Sequence, residues 1–253
     1  MSGSISIIGL GPGKMDWLAP GCAQAIEKAE LILGYKTYLE QIKTLCPEIP
    51  RISSGMRHEV ERAQQAIDYA IQGKRVAVVS GGDAGIYGMA GLILELLETQ
   101  PNNDLPVEVL PGISALNAAA ALLGAPLMTD FVSISLSDYL TPLSTILGRL
   151  EVAIQGDFVI CLYNPRSHQR VEPFYRSVEI LLTNLGEDRP TGVVKSAYRE
   201  DQQVTVTTLS QLKELEIGMD CIIIVGNNST RIIDGKMVTP RGYPVHSNGG
   251  EIS

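Results

Sequence analysis

The run at 77–91, AVVSGGDAGIYGMAG, limits the fold more than any other stretch of this chain. An apolar, strand-like run closes on paired glycines, an acid follows at once, and small residues then lead toward a helix start. Gly81 and Gly82 let the main chain approach a ligand with no Cβ in the way, and Asp83 offers a carboxylate at that mouth. The competing reading is a tight strand-to-helix turn capped by Asp83. The same alternation runs through the first half. Residues 5–9 read as a strand, 17–29 as a helix, 31–34 as a strand, 59–72 as a helix and 75–80 as a strand. Residues 107–110 then precede PGISALNAAAALLG, a Pro-Gly turn and an Ala-rich helix with Ser114 near its start. Strands and helices in this order imply a mostly parallel, helix-covered sheet.

From Phe131 the pattern changes. FVSISL, DFVICLY, TGVVKSA, QQVTVTTL and CIIIVG read as strands, with helices near 142–153, 171–184 and 210–215. Strands with few helices between them suggest antiparallel pairing. The expected fold class is α/β, with two α/β domains: residues 1–112, residues 113–243 (boundary within 111–128) and a tail at 244–253. A cleft between the two is the expected ligand site.

Composition removes several function classes. The chain has 253 residues, 45% of them hydrophobic, enough to bury a sizeable core. No apolar stretch reaches the roughly 18 residues of a membrane span, and the first apolar run is cut by Gly-Pro-Gly, so a cytoplasmic protein without a signal peptide is expected. The four cysteines (22, 46, 161, 221) and three histidines (58, 168, 246) have no metal-ligand spacing, and no metal is expected. A net charge of −8 argues against nucleic-acid or membrane-surface partners. An anionic substrate would instead need local arginines, for which Arg57, Arg62, Arg166 and Arg170 are the candidates.

The glycine loops are not nucleotide-phosphate loops. IIGLGPG at 7–13 follows a strand, yet Pro12 intrudes, the third glycine is misplaced for G-x-G-x-x-G, and no acid ends the next strand. No G-x-x-x-x-G-K-[ST] occurs. Three glycines and a proline at a strand end fix a rigid main-chain shape suited to a pocket wall.

GLGPG at 9–13, VVSGGDAGIYGMAG at 78–91, PGISALNAAAALLGAPL at 111–127 and IIIVGNNST at 222–230 resemble, in order and spacing, the tetrapyrrole methyltransferases. GYKTYL at 34–39, SGMRHEVERA at 54–63, DFVSISLSDYLTP at 130–142, ICLYNPRSHQR at 160–170 and VTPRGY at 238–243 resemble the precorrin-3B C17-methyltransferase branch of cobalamin biosynthesis, which takes precorrin-3B or cobalt-factor III. The likeness covers residues 5–243. It departs after GLGPG, where Lys14, Met15 and Asp16 precede Leu18-Ala19-Pro20 in place of an acid and a Leu-Thr pair.

The resemblance implies an S-adenosylmethionine-dependent C-methyltransferase, with S-adenosylhomocysteine as product and the cofactor folded into the cleft between the domains. Such a cofactor requires no phosphate loop. The resemblance implies that Leu10, Gly82, Asp83, Ile86 and Tyr87 line the cofactor, that Ser114 and Ala115 meet it from the same domain, and that Tyr163, Ala197, Gly226 and Asn227 close over it from the second. Orientation of donor and acceptor is worth up to ~7–11 kcal/mol. Ring contraction adds proton transfers, for which His58, Glu59, Ser137 and Asp138 are candidates.

Plainer readings compete. Glu59 and Arg62 form a surface ion pair, His58 solvates or caps a helix, and Asp138 shapes a turn. Arg166, after Asn164-Pro165 at a strand end, suits a bidentate clamp on a substrate carboxylate. The resemblance also implies a homodimer and handover of the macrocycle to neighbouring enzymes. The alternatives are methylation of another precorrin carbon and a binding protein for a tetrapyrrole intermediate.

Overall fold

Five strands of the first half lie side by side, each parallel to its neighbours: β1 (Ser4–Gly9), β2 (Leu31–Tyr35), β3 (Arg51–Ser54), β4 (Arg75–Ser80) and β5 (Val107–Leu110), in the order β3-β2-β4-β1-β5. The structure is a computed structural model and describes residues 3–55, 58–100 and 104–244. The connecting helices are α1 (Pro20–Lys28), α2 (Lys36–Gln41), α3 (Glu59–Ile71) and α4 (Ala90–Glu98).

Side-chain alternation divides the sheet into two faces. Ile5, Ile7, Val76 and Val78 pack with Ala63, Ala66 and Ile67 of α3 and Ile93 and Leu97 of α4. Ile8, Ile32, Ala77 and Val79 pack with Cys22 and Ile26 of α1 and Leu39 of α2. Each fully buried isoleucine among them contributes roughly 1.5–3 kcal/mol. Near-continuous apolar strands follow from this two-sided burial.

The chain then runs through α5 (Ala115–Leu123) and the short β6 (Gly124–Ala125) into a second five-stranded sheet. It comprises β7 (Phe131–Ser135), β8 (Val159–Tyr163), β9 (Pro190–Lys195), β10 (Gln203–Thr208) and β11 (Cys221–Val225), ordered β10-β9-β11-β8-β7. Between strands lie α6 (Leu143–Gln155) and α7 (Glu172–Leu185), and Phe174, Val178, Leu181, Ile146 and Leu150 of these helices pack with Ile134, Leu162 and Ile223 of the sheet. β12 (Arg231–Ile233) and β13 (Lys236–Val238) form a hairpin, and β13 also pairs in parallel with β6. By contact density the chain forms two units: Met1–Ala118 with Ser196–Asp201, and Ala119–Lys195 with Gln202–Ser253.

The structure refines several sequence expectations. The helix expected from 17 begins at Pro20, because a proline at the first helical position lacks only an amide that would be unpaired there, and Met15–Trp17 forms a separate 3-10 turn. The region 36–54 holds α2 and β3, both too short for a periodicity signal. The helix expected at 210–215 is a 3-10 turn, Leu209–Glu214. Antiparallel pairing holds for β8 with β11, β11 with β9 and β9 with β10, whereas β7 and β8 are parallel, since α6 carries the chain back between them.

Candidate functional site

In the first unit the helices following β1 and β4 pack on opposite faces of the sheet, so the carboxyl ends of these adjacent strands form a topological switch point. Glycine loops occupy that edge. The Gly11 amide donates to the Gly82 carbonyl at 3.0 Å and the Gly82 amide returns a bond to the Gly11 carbonyl at 2.9 Å. Gly11 and Gly82 have φ of 75° and 64°, which glycine adopts without strain. A Cβ on Gly112 would lie 2.2 Å from the Gly82 carbonyl oxygen and 2.6 Å from that of Gly9. Three strand ends are therefore packed main chain against main chain. Leu10 is buried, with its amide on the Ser80 carbonyl at 2.9 Å.

Asp83 is a brace for this edge. Its Oδ1 accepts the Gly85 amide at 2.8 Å and its Oδ2 accepts the Gly112 amide at 3.0 Å, tying the loop after β4 to the turn after β5. The helix cap expected of Asp83 is not formed, because residues 81–88 stay non-helical and α4 begins only at Ala90. Ser114 does cap a helix: its Oγ accepts the Asn117 amide at 3.2 Å at the start of α5. A Cβ on Gly82 would lie 3.4 Å from the Ala115 amide nitrogen, so Gly82, Asp83, Ser114 and Ala115 share one locality. Ile86 and Tyr87 lie on the same loop and are exposed, Tyr87 with φ of 53°.

Two residues at this edge were not singled out by sequence reasoning. The Tyr38 ring lies against Gly81, where a Cβ would come within 2.5 Å of a ring carbon. The Arg199 side chain lies against Gly13, and its Nε donates to the Pro12 carbonyl at 3.3 Å. Tyr38 sits within the GYKTYL segment, but its meeting with Gly81 follows from topology, and Arg199 is 187 positions from Pro12. Ala197 lies in the same Ser196–Asp201 segment, between Ser196 and Tyr198, both in left-handed backbone.

At the start of α3, His58 occupies the N-cap position without a side-chain cap, and its exposed ring meets Glu61 Oε2 at 2.7 Å through Nδ1. Glu59 is exposed at the first turn. Arg62 is only 5% exposed, so it is not the surface residue that the ion-pair reading assumed. Its Nε donates to Ser54 Oγ at 2.7 Å and an Nη to the Gly55 carbonyl at 3.0 Å. Burial lowers the Arg62 pKa from its ordinary value, against the opposing effect of Glu59. Arg57 lies outside the described residues.

The second unit gathers its candidates at the carboxyl end of the parallel pair β7 and β8. Asn164 Nδ2 donates to Ser135 Oγ at 3.0 Å, and the Leu136 amide to the Tyr163 carbonyl at 2.9 Å. Arg170 clamps both loops, donating to the carbonyls of Leu136 at 2.6 Å and Asn164 at 2.7 Å, with Asp138 at 3.8 Å. Ser137 follows the clamped Leu136, its amide on Ser135 Oγ at 3.2 Å. Arg166 is less committed, donating to the Tyr175 hydroxyl at 3.3 Å while its guanidinium stands 5.6 Å over that ring.

Gly226 and Asn227 do not join Tyr163, which corrects the expectation that these strand ends close together. β11 is antiparallel to β8, with Val225 opposite Ile160, so the end of β11 lies at the start of β8. The Asn227 side chain is engaged within its own loop: its Nδ2 donates to the Asp157 carbonyl at 3.3 Å and its Oδ1 accepts from Ser229 and Thr230.

Among the described residues, no group of three or more His, Cys, Asp or Glu side chains is placed to hold a metal ion, and no helix is long and apolar enough to cross a membrane. Cys161 is fully buried, and burial pushes its thiol pKa up to about 12.

The residue pattern of the family described as Tetrapyrrole (Corrin/Porphyrin) Methylases matches residues 4–213. A protein of Salmonella typhimurium named probable cobalt-factor III C(17)-methyltransferase is 46% identical over 94% of this chain and 99% of its own length. The cobalt-factor III methyltransferase of Priestia megaterium is 47% identical over 96% of this chain, which spans 46% of that longer protein. Among solved structures, the methyltransferase CobJ superposes with a TM-score of 0.89 at 36% identity, over 94% of this chain and 100% of CobJ.

Proposed function

This chain belongs to the tetrapyrrole (corrin/porphyrin) methylases, and we propose that it is an S-adenosylmethionine-dependent methyltransferase of corrin biosynthesis. It methylates C17 of cobalt-factor III, or of the metal-free precorrin-3B, as the ring contracts. The observation that carries this reading is the end-to-end likeness to the Salmonella protein named for that reaction. The glycine-braced edge supports it physically, because a sulfonium cofactor asks for bare main chain and apolar walls, and Gly82, Leu10 and Ala115 offer both.

When bound, S-adenosylmethionine supplies an activated methyl group. The chain's own residues do the rest. Gly82 presents main chain without a side chain in the way, Asp83 fixes that loop against Gly112, and buried Leu10 keeps the floor dry. His58, oriented by Glu61, together with Glu59, is proposed to move protons during contraction, with Ser137 and Asp138 as the candidates of the second unit. Arg166 keeps guanidinium donors for a peripheral carboxylate of the macrocycle. Arg62 and Arg170 act by holding loops in place, Arg62 through Ser54 Oγ and the Gly55 carbonyl and Arg170 through the carbonyls of Leu136 and Asn164. Gly226 and Asn227 are not part of this proposal. Homodimer formation and handover of the product belong to the same reading and are open to sedimentation and transfer experiments.

The test is a single turnover with cobalt-factor III and methyl-labelled S-adenosylmethionine. The expected product carries one labelled methyl at C17. Label on another carbon, or none on a chain that binds S-adenosylhomocysteine, overturns the assignment.

A further inference from the structure

Two guanidinium groups stand at the glycine edge. Arg62 is held by Ser54 and Gly55 and feels the charge of Glu59, whereas the described residues give Arg199 no carboxylate within ion-pair distance. Arg199 is anchored at one end only: its stem packs on Gly13 and its Nε is on the Pro12 carbonyl, while its two terminal nitrogens make no bond to the described residues. That leaves the fork that binds a carboxylate bidentately. Tyr38 of α2 stands on Gly81, the residue before the Gly82 that is latched to Gly11, so the phenol and the fork lie against the same paired loops. Burial raises the Tyr38 pKa, opposed by the nearby charges of Arg199 and Arg62, and the hydroxyl remains a neutral donor. Arg199 is half-buried, so an incoming carboxylate meets a guanidinium already partly stripped of water.

We infer that Arg199, flanked by the Tyr38 hydroxyl and backed by the charge of Arg62, is a binding site for a ligand carboxylate. The inference rests on the proposed function for the ligand's identity. Two sources share this chemistry: an acetate or propionate arm of the macrocycle, and the amino-acid carboxylate of the cofactor.

Calorimetry on the full chain separates them, with S-adenosylhomocysteine as one probe and a porphyrin octacarboxylate as the other. For Arg199→Ala the expected result is at least a tenfold loss of affinity for one probe and less than twofold for the other. Loss on the porphyrin arm assigns the macrocycle, and loss on the S-adenosylhomocysteine arm assigns the cofactor. Tyr38→Phe should weaken the same probe several-fold, and Arg199→Lys should restore it only partly, because an ammonium keeps the charge without the fork. If Arg199→Ala lowers the thermal midpoint, Arg199→Gln carries the test. Unchanged affinity for both probes in a folded variant overturns the site. A wild-type chain that fails to bind S-adenosylhomocysteine overturns the proposed function while the porphyrin arm still decides the site; one that binds neither probe overturns both.

Discussion

The two sheets differ in what their strand direction does to the loops. In the first, every strand is parallel to its neighbours, so the loops after β1, β4 and β5 all emerge at one edge and brace one another through Gly11, Gly82, Gly112 and Asp83. In the second, only β7 and β8 are parallel, and the loops after β8 and β11 leave at opposite edges. A strand end is therefore informative about a ligand only when the direction of its neighbours is known.

The largest expected effect tests the close packing of the first edge. Gly112→Ala forces a methyl into two carbonyl oxygens and should cost about 3 kcal/mol, with a marked loss of S-adenosylhomocysteine affinity. Urea unfolding and calorimetry check both, and a stable variant with native affinity would show that the three loops are not packed as described. Arg170→Ala tests the corresponding joint of the second unit. Releasing the carbonyls of Leu136 and Asn164 should cost about 2 kcal/mol, and Arg170→Lys should recover little of it, since one ammonium does not reproduce a fork spanning two loops.

A third substitution probes the separation of edges. Asn227→Ala should lower stability by about 1.5 kcal/mol through its lost network and leave S-adenosylhomocysteine affinity within about twofold. A large loss of affinity without loss of stability would return Asn227 to the binding site. Taken per pH unit, the smallest effect concerns Cys161, buried on β8 of the second sheet. A thiol in the unfolded chain ionises near ~8.5, whereas the native thiol keeps its proton up to about 12, so its contribution is fully present below the first value and declines as pH rises toward the second. The decline is at most about 1.4 kcal/mol per pH unit, and Cys161→Ala should flatten it in urea titrations across that range.

These contrasts also show what the sequence made legible. Strands such as β1, β4 and β11 were readable because burial on both faces demands unbroken apolar runs, and α3 because one stripe alone is buried. The antiparallel character of the second half was readable too, and it already implied that Gly226 and Tyr163 lie apart. Asp83 was recognised as a turn residue, but its partner Gly112 is 29 positions away, and local pattern alone assigned it to a helix that starts later. The parts that stayed hidden are meetings between distant segments. Nothing near Arg62 in sequence reveals that α3 buries it against Ser54, and nothing near Arg199 reveals Pro12.

The reciprocal bonds between Gly11 and Gly82 bear on timing. Both amides are engaged within the protein alone, so they should exchange with solvent deuterium slowly in the free chain and little more slowly with a ligand bound. A floor set during folding needs no rearrangement on encounter. The rate of capture should then follow diffusion and orientation of the ligand, with no slow closing step at this edge.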